Sequence, residues 1–104
     1  MTRRANVDEI NSIVHLINLG HSPPYICKHL GCSSPALMRR ISRNAPYLIS
    51  RLSSAKYSTL KLFIEKNRST TSISLSLDLP ETLINCAKKL VKDGEYPSPL
   101  PTKR

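Results

Sequence analysis

The sequence matches itself when it is shifted by 47 residues, and the match needs no gap. The matched apolar pairs are Ile13 with Leu60, Ile17 with Ile64, Ile26 with Ile73, Leu30 with Leu77, and Leu37 with Ile84. Turn residues match as well, because Gly20 falls on Asn67 and Gly31 on Asp78, and these residue types all tolerate tight turns. Two tandem three-helix units are the simplest explanation, and a chance coincidence of two amphipathic patterns is the alternative.

Spacing and capping signals divide the first half into three predicted helices. Asn6 and Glu9 form the pattern of a capping box before an apolar face of helical spacing, and Gly20 is a typical helix stop. The second helix spans residues 22–30, with two prolines in its first turn, where a missing N–H costs nothing. The third spans residues 35–43 and is capped by one of the two serines before it.

The second half predicts a similar succession of elements. A helix is expected over about residues 57–67, with an apolar inward face. Asp78 and Glu81 form a second capping box around Pro80. They begin a helix that the turn residues Asp93 and Gly94 end.

Polar and apolar side chains alternate within residues 71–79, a period of two that is typical of a β-strand. A strand followed by a helix would resemble the start of a ribbon-helix-helix protein, which pairs strands and contacts DNA with them. The residues facing DNA would then be Ser72, Ser74 and Ser76. That fold needs a further helix after Gly94, and the proline-rich residues 96–104 are unsuited to form one. We therefore favour a helix and keep the ribbon-helix-like strand as the alternative.

The charge of the chain constrains its partner. Sixteen lysines and arginines stand against seven acids, which gives a formal net charge of +9. Residues 1–47 hold six cations and two acids, and residues 48–104 hold ten and five, so both halves are basic. Such a balance favours a polyanionic partner, of which nucleic acid is the commonest. The alternative is a basic protein that is simply soluble, because charge alone determines neither fold nor function.

Residues 22–43 carry the pattern of a helix-turn-helix motif: a short helix, a tight turn and a capped helix rich in arginine. The second helix of such a motif enters the major groove, where an arginine can recognise guanine through two hydrogen bonds. Other cations and serines hold phosphates. The predicted DNA-binding residues are Ser33, Ser34, Arg39, Arg40, Arg43, Lys28, Thr82, Asn85, Lys88, Lys89, and, on an N-terminal arm, Arg3 and Arg4.

These signals predict an all-α protein built from helix-turn-helix units. We expect a first unit in residues 1–47, a linker or short helix in 48–56, a second helix-turn-helix-like unit in 57–95, and a flexible tail in 96–104. Two units would span successive grooves as a monomer, and a single functional unit would need a homodimer.

A family resemblance is carried by short stretches of both units. They are residues 16–20 and 32–40 in the first unit, and residues 83–85, 88–90 and the proline-rich 97–101 in the second. Both units resemble the N-terminal helix-turn-helix part of the C subunit of the flagellar master transcriptional activator (FlhC-type). The resemblance implies transcription control through DNA in a bacterial or mobile-element setting. That family also has a C-terminal four-cysteine zinc site, and this sequence has nothing like it.

No set of residues supplies a nucleophile, a base and an orienting group, so we predict no enzyme, no cofactor and no small-molecule substrate. The closely spaced His21, Cys27, His29 and Cys32 invite a zinc interpretation. Their spacing does not favour a metal site, and free cysteines commonly pack as small hydrophobes. No apolar run approaches the roughly 20 residues of a membrane span, and the odd cysteine count fits a reducing cytoplasm.

We therefore expect a sequence-specific double-stranded DNA-binding protein that acts as a transcriptional regulator of bacterial, plasmid or phage type. It would place helix 35–43, and as a second candidate helix 80–92, in the major groove, at the nucleoid if the host is bacterial. A second copy or a protein of the transcription machinery is a candidate partner. The alternative function is a protein-interaction module, an adaptor or inhibitor, whose basic helical surface docks an acidic protein.

Overall fold

The structure, a computed structural model, describes residues 7–98, and within them the chain is all-α with no strand. The predicted all-α class is therefore confirmed. The helices are α1 (Val7–Asn18), α2 (Pro23–Leu30), α3 (Ser34–Arg43), α4 (Ala45–Ser50), α5 (Ser54–Glu65), α6 (Thr70–Leu77) and α7 (Glu81–Lys92). None of these helices is long and apolar enough to cross a membrane.

The segment that alternates in sequence is helical, so the ribbon-helix-like alternative is wrong. Ser69 caps α6 by accepting a hydrogen bond from the Ser72 backbone N–H at 3.1 Å. Ile73 is fully buried, whereas Leu75 is 77% exposed. One of the alternating apolar residues thus faces solvent, and the cap together with the burial of Ile73 overrides the low helix propensity of serine and threonine.

Serine caps and left-handed turns define most of the other helix ends. Ser33 caps α3, as one of the two predicted choices, and Ser53 caps α5, which therefore begins three residues before the predicted start. The second predicted capping box is wrong: Asp78 ends α6 in the left-handed conformation, and α7 begins at Glu81, after the N-cap residue Pro80, without a side-chain cap. Asn6, the other predicted cap, lies outside the described residues.

The helices of the two halves correspond under the shift of 47 residues. Shifting α1 gives the bounds of α5, shifting α2 gives those of α6, and α3 and α7 begin at equivalent positions. The turns correspond too, since φ is +89° at Gly20 and +60° at Asn67, and +70° at Gly31 and +57° at Asp78. The repeat is thus present in the backbone, and the division into two units with the predicted bounds stays a prediction.

The short helix α4 lies where a linker or a short helix was expected to begin. It packs against α1, α3 and α7. Leu48 and Ile49 within it, and Leu52 just after it, are buried. The connection between the two halves is therefore part of the core rather than an exposed tether.

One aliphatic core joins both halves. The last helix, α7, packs against α3, α4, α5 and α6 and buries Leu83, Ile84 and Ala87. On α3, Leu37 and Ile41 are fully buried. The two helices predicted to contact DNA therefore lie against each other.

The chain after α7 folds back on α5. The Tyr96 hydroxyl donates to the Tyr57 carbonyl at 3.1 Å, the Tyr57 hydroxyl donates to the Pro97 carbonyl at 2.6 Å, and the two rings lie 5.3 Å apart. The beginning of the predicted tail is thus held by specific contacts, and residues 99–104 lie outside the described part of the chain.

Candidate nucleic-acid interface

The pair α2–α3 has the connection expected of a helix-turn-helix motif. The two helices pack together and are joined by a turn of three residues. Gly31 adopts the left-handed conformation, and its N–H and that of Cys32 both donate to the Cys27 carbonyl. Ser33 then starts α3 by accepting a hydrogen bond from the Ala36 N–H at 3.3 Å. Because glycine enters the left-handed region without strain, Gly31 permits this tight reversal between the two helices.

The outer face of α3 carries exposed arginines. Leu37 and Ile41, four residues apart, are fully buried, so the opposite side of the helix faces solvent. Arg39 and Arg43, also four residues apart, are both exposed there. Neighbouring side chains at this spacing project from the same side of a helix. Two guanidinium groups are therefore available together to an approaching polyanion.

Arg40 has a different environment from the other arginines of α3. Its Nη1 atom lies 3.2 Å from Glu9 Oε2 on α1, and both side chains are about two-thirds buried. The Nη1 atom is itself buried and makes no hydrogen bond of good geometry, so the contact is an ion pair. Arg40 thus links α3 to α1, and its charge is largely compensated within the protein.

The polar residues around the turn are exposed, but they differ in the hydrogen bonds that they already make. Ser34 and Lys28 are exposed at either side of the turn. Ser33 is exposed as well, but its hydroxyl oxygen serves the α3 cap. The predicted N-terminal arm with Arg3 and Arg4 lies outside the described residues.

The residues predicted to contact DNA from α7 do not form one free face. The Thr82 hydroxyl donates to the Met38 sulfur on α3, so this side chain lies in the contact between the two helices. Asn85 and Lys89 are exposed and Lys88 is half-buried. The Asn85 amide oxygen accepts a hydrogen bond from Thr70 at 2.9 Å. An exposed acid, Glu81, occupies the first turn, where it would repel a phosphate.

The cysteines and histidines near the turn are arranged for packing. Burial and the neighbouring Cys27 thiol raise the pKa of Cys32 above its ordinary value, which keeps this thiol protonated and weakly nucleophilic. On the exposed side of α2, the Tyr25 ring stacks on His21 at 4.1 Å between ring centroids. Within residues 7–98, no group of three His, Cys, Asp or Glu side chains is placed to hold a metal ion.

A basic cleft was missed by sequence reasoning. This α5–α7 cleft is an open depression of about 450 Å³ between the end of α5 and the second half of α7. Its lining residues are Ile64, Glu65, Asn67, Arg68, Lys88, Val91 and Lys92. Lys88 and Lys92 are spaced by four residues, which indicates a shared helix face already in the sequence. Nothing in the sequence shows that Arg68, twenty residues earlier, joins them.

Comparison of the chain with known protein families, with curated proteins and with solved structures finds no match in any of the three. The resemblance to the flagellar activator subunit stays a prediction.

Proposed function

We propose that the protein binds double-stranded DNA in a sequence-specific manner through α3 and acts as a transcriptional regulator. The observation that carries this proposal is the pair of exposed arginines, Arg39 and Arg43, on a helix whose other face is anchored in the core. The tight turn between α2 and α3 and the net charge of +9 support it, because helix-turn-helix proteins combine such a turn with a basic surface.

The α3 helix would lie in the major groove with its N-terminal turn toward the base edges. Arg39 is the better placed of the two arginines to donate two hydrogen bonds to guanine, since it lies nearer that end. Arg43 and Lys28 would hold backbone phosphates on either side and fix the register. Arg40 would contribute through the position of α3, because it is paired with Glu9.

The experiment is selection of bound duplexes from a random-sequence DNA pool at near-physiological salt, followed by sequencing. The variant Arg39→Ala/Arg43→Ala removes the exposed arginine pair. We expect a defined motif with the wild type and loss of that motif with the variant. One bidentate arginine–guanine contact is worth about 1–3 kcal/mol of discrimination, or roughly 5- to 150-fold in affinity between the best and the mismatched base.

A matched control keeps the number of charges removed the same. Arg51→Ala/Lys61→Ala also removes two exposed cations, each of which lies over a tyrosine ring elsewhere on the surface. It should retain the motif. If the wild type selects no motif, or if the α3 variant and the control behave alike, the proposal fails. Capture of an acidic protein would then favour the interaction-module alternative.

A further inference from the structure

We propose that the α5–α7 cleft is a second contact site for DNA, which binds phosphates of the duplex backbone. This inference rests on the proposed function, and it assigns a role to Arg68 and Lys92, which lie outside the helix-turn-helix of the first half. The ligand class is a phosphodiester backbone, recognised by charge and hydrogen bonding rather than by base identity.

The charges and the shape of the cleft favour a phosphate. Three cations line it, Arg68, Lys88 and Lys92, against the single carboxylate of Glu65 among the lining residues. The Arg68 guanidinium lies 4.3 Å above the Phe63 ring, a cation–π contact that reduces its freedom before any ligand binds. A guanidinium group held in this way can donate two parallel hydrogen bonds to one phosphate.

In the first half of the repeat, core residues stand at the positions equivalent to the two lysines of the cleft. The residues equivalent to Lys88 and Lys92 under the 47-residue shift are Ile41 and Ala45. Both are buried in the core, with exposures of 0% and 2%. The second half thus carries cations around an open cleft where the first half carries core residues, and the cleft is not a general product of the helix arrangement.

A competing explanation is that these cations only stabilise helix ends. Lys92 lies in the last turn of α7 and Arg68 follows the end of α5, where a positive charge interacts favourably with the helix dipole. The two explanations differ in the property that mutation changes. Stabilisation of a helix end affects unfolding alone, whereas a phosphate contact also affects DNA affinity and its dependence on salt.

The test uses the full chain with Arg68→Gln/Lys92→Gln, and Arg51→Gln/Lys61→Gln as the control that removes two exposed cations elsewhere. Affinity is measured by fluorescence anisotropy from about 50 to 200 mM salt, the range over which counterion release has a large effect. The ligands are a duplex with the selected motif and a scrambled duplex of the same length. Circular dichroism establishes that both variants are folded at the assay temperature.

We expect the cleft variant to bind both duplexes more weakly by the same factor. The slope of log affinity against log salt should become shallower by about 0.9 for each phosphate that the variant no longer neutralises, or about 1.8 for two. An unchanged slope, equal to that of the control, overturns the inference while the proposed function stands. Loss of motif preference in the cleft variant also overturns it, because the cleft would then contact bases. Failure of the wild type to bind any duplex refutes the proposed function and this inference together.

Discussion

The helices α3 and α7 begin at equivalent positions of the repeat, yet their second halves have opposite surroundings. On α3, Ile41 is buried and the helix packs against both α4 and α7. On α7, the equivalent Lys88 and the following Lys92 line an open cleft. The end of α3 is therefore covered by further helices, whereas the end of α7 carries charged side chains beside an open cleft. The terminal repeats of stacked-helix proteins have polar outer faces in the same way.

This difference indicates that side-chain identity, and not helix geometry, decides which surface remains available to a partner. The exposed arginines of α3, Arg39 and Arg43, lie on the side opposite its buried face. The residues at their equivalent positions on α7, Cys86 and Leu90, are half-buried and pack against the core. A repeat in the backbone thus need not be a repeat in function. The two halves are expected to respond differently to matched substitutions wherever their surroundings differ, and alike wherever they share the core.

The largest effect is expected in the shared core. Leu37 and Ile84 are equivalent and fully buried, so Leu37→Ala and Ile84→Ala should each lower the free energy of unfolding by about 2–5 kcal/mol. Because α3 packs on α7, both variants should unfold in one cooperative transition, measured by urea denaturation with helical circular dichroism. The exposed Leu75→Ala should stay within about 0.5 kcal/mol of wild type. Two separate transitions would show that the halves are independent.

Substitutions at the two equivalent turn residues, Gly31 and Asp78, should change the free energy of unfolding in opposite directions. Gly31 has φ +70°, and an added Cβ would meet no other atom within 4 Å. Gly31→Ala should therefore cost about 1–2 kcal/mol through the backbone alone. Asp78 holds the equivalent conformation without being glycine, so Asp78→Gly should stabilise by less than about 1 kcal/mol, since the added freedom of the unfolded chain offsets part of the gain. Thermal denaturation measures both, and effects of the same sign would contradict the equivalence of the two turns.

The caps provide a smaller contrast between equivalent serines. Ser69 accepts a hydrogen bond from the Ser72 N–H, whereas Ser22, at the equivalent start of α2, makes no side-chain cap bond. We expect Ser69→Ala to cost about 1 kcal/mol and Ser22→Ala only a few tenths. Equal costs, measured by urea denaturation, would mean that Ser22 caps α2 in solution after all.

Local signals made the first half of the fold predictable. The boundary of α2 and the turn at Gly31 follow from glycine and proline chemistry, which acts within a few residues. The helix α6 was ambiguous because alternation favours a strand, and its helical state depends on the burial of Ile73 against other helices. Asp78 was assigned to the wrong helix for a related reason, since the same residue type suits an N-cap and a left-handed helix stop.

The sequence predicts which basic residues belong to the candidate site, but it does not predict which of them are exposed together. Sequence reasoning selected the arginines of α3 from a helical period, and two of them are exposed together. The helical period does not show that Arg40 differs from the two exposed arginines, because its ion-pair partner Glu9 lies on α1, far away in the sequence. The α5–α7 cleft was missed because Arg68 is distant in sequence from Lys88 and Lys92 and joins them only through the packing of α7 on α5.

The smallest expected effect on stability at about pH 8 concerns Tyr96. Its equivalent in the first half is Ile49, a residue that does not titrate. Burial, with the neighbouring Tyr57, raises the pKa of Tyr96 well above its ordinary value. An unfolded chain loses this phenolic proton near about pH 10 while the folded chain retains it, so the unfolded state binds fewer protons and stability falls as the pH rises further. The hydrogen bond to the Tyr57 carbonyl should make wild type about 0.5 kcal/mol more stable than Tyr96→Phe at about pH 8.

That difference should vanish near about pH 10 and reverse its sign by about pH 11.5, because ionisation of the unfolded Tyr96 destabilises wild type. Tyr96→Phe has no phenol to ionise, and the ionisation of lysines affects both proteins equally. Urea denaturation at a series of pH values measures the difference. The exposed Tyr25→Phe on α2 is the matched control. A difference between wild type and Tyr96→Phe that stays constant over this range would mean that Tyr96 ionises alike in both states. The fold-back of the chain onto α5 would then not shield this phenol.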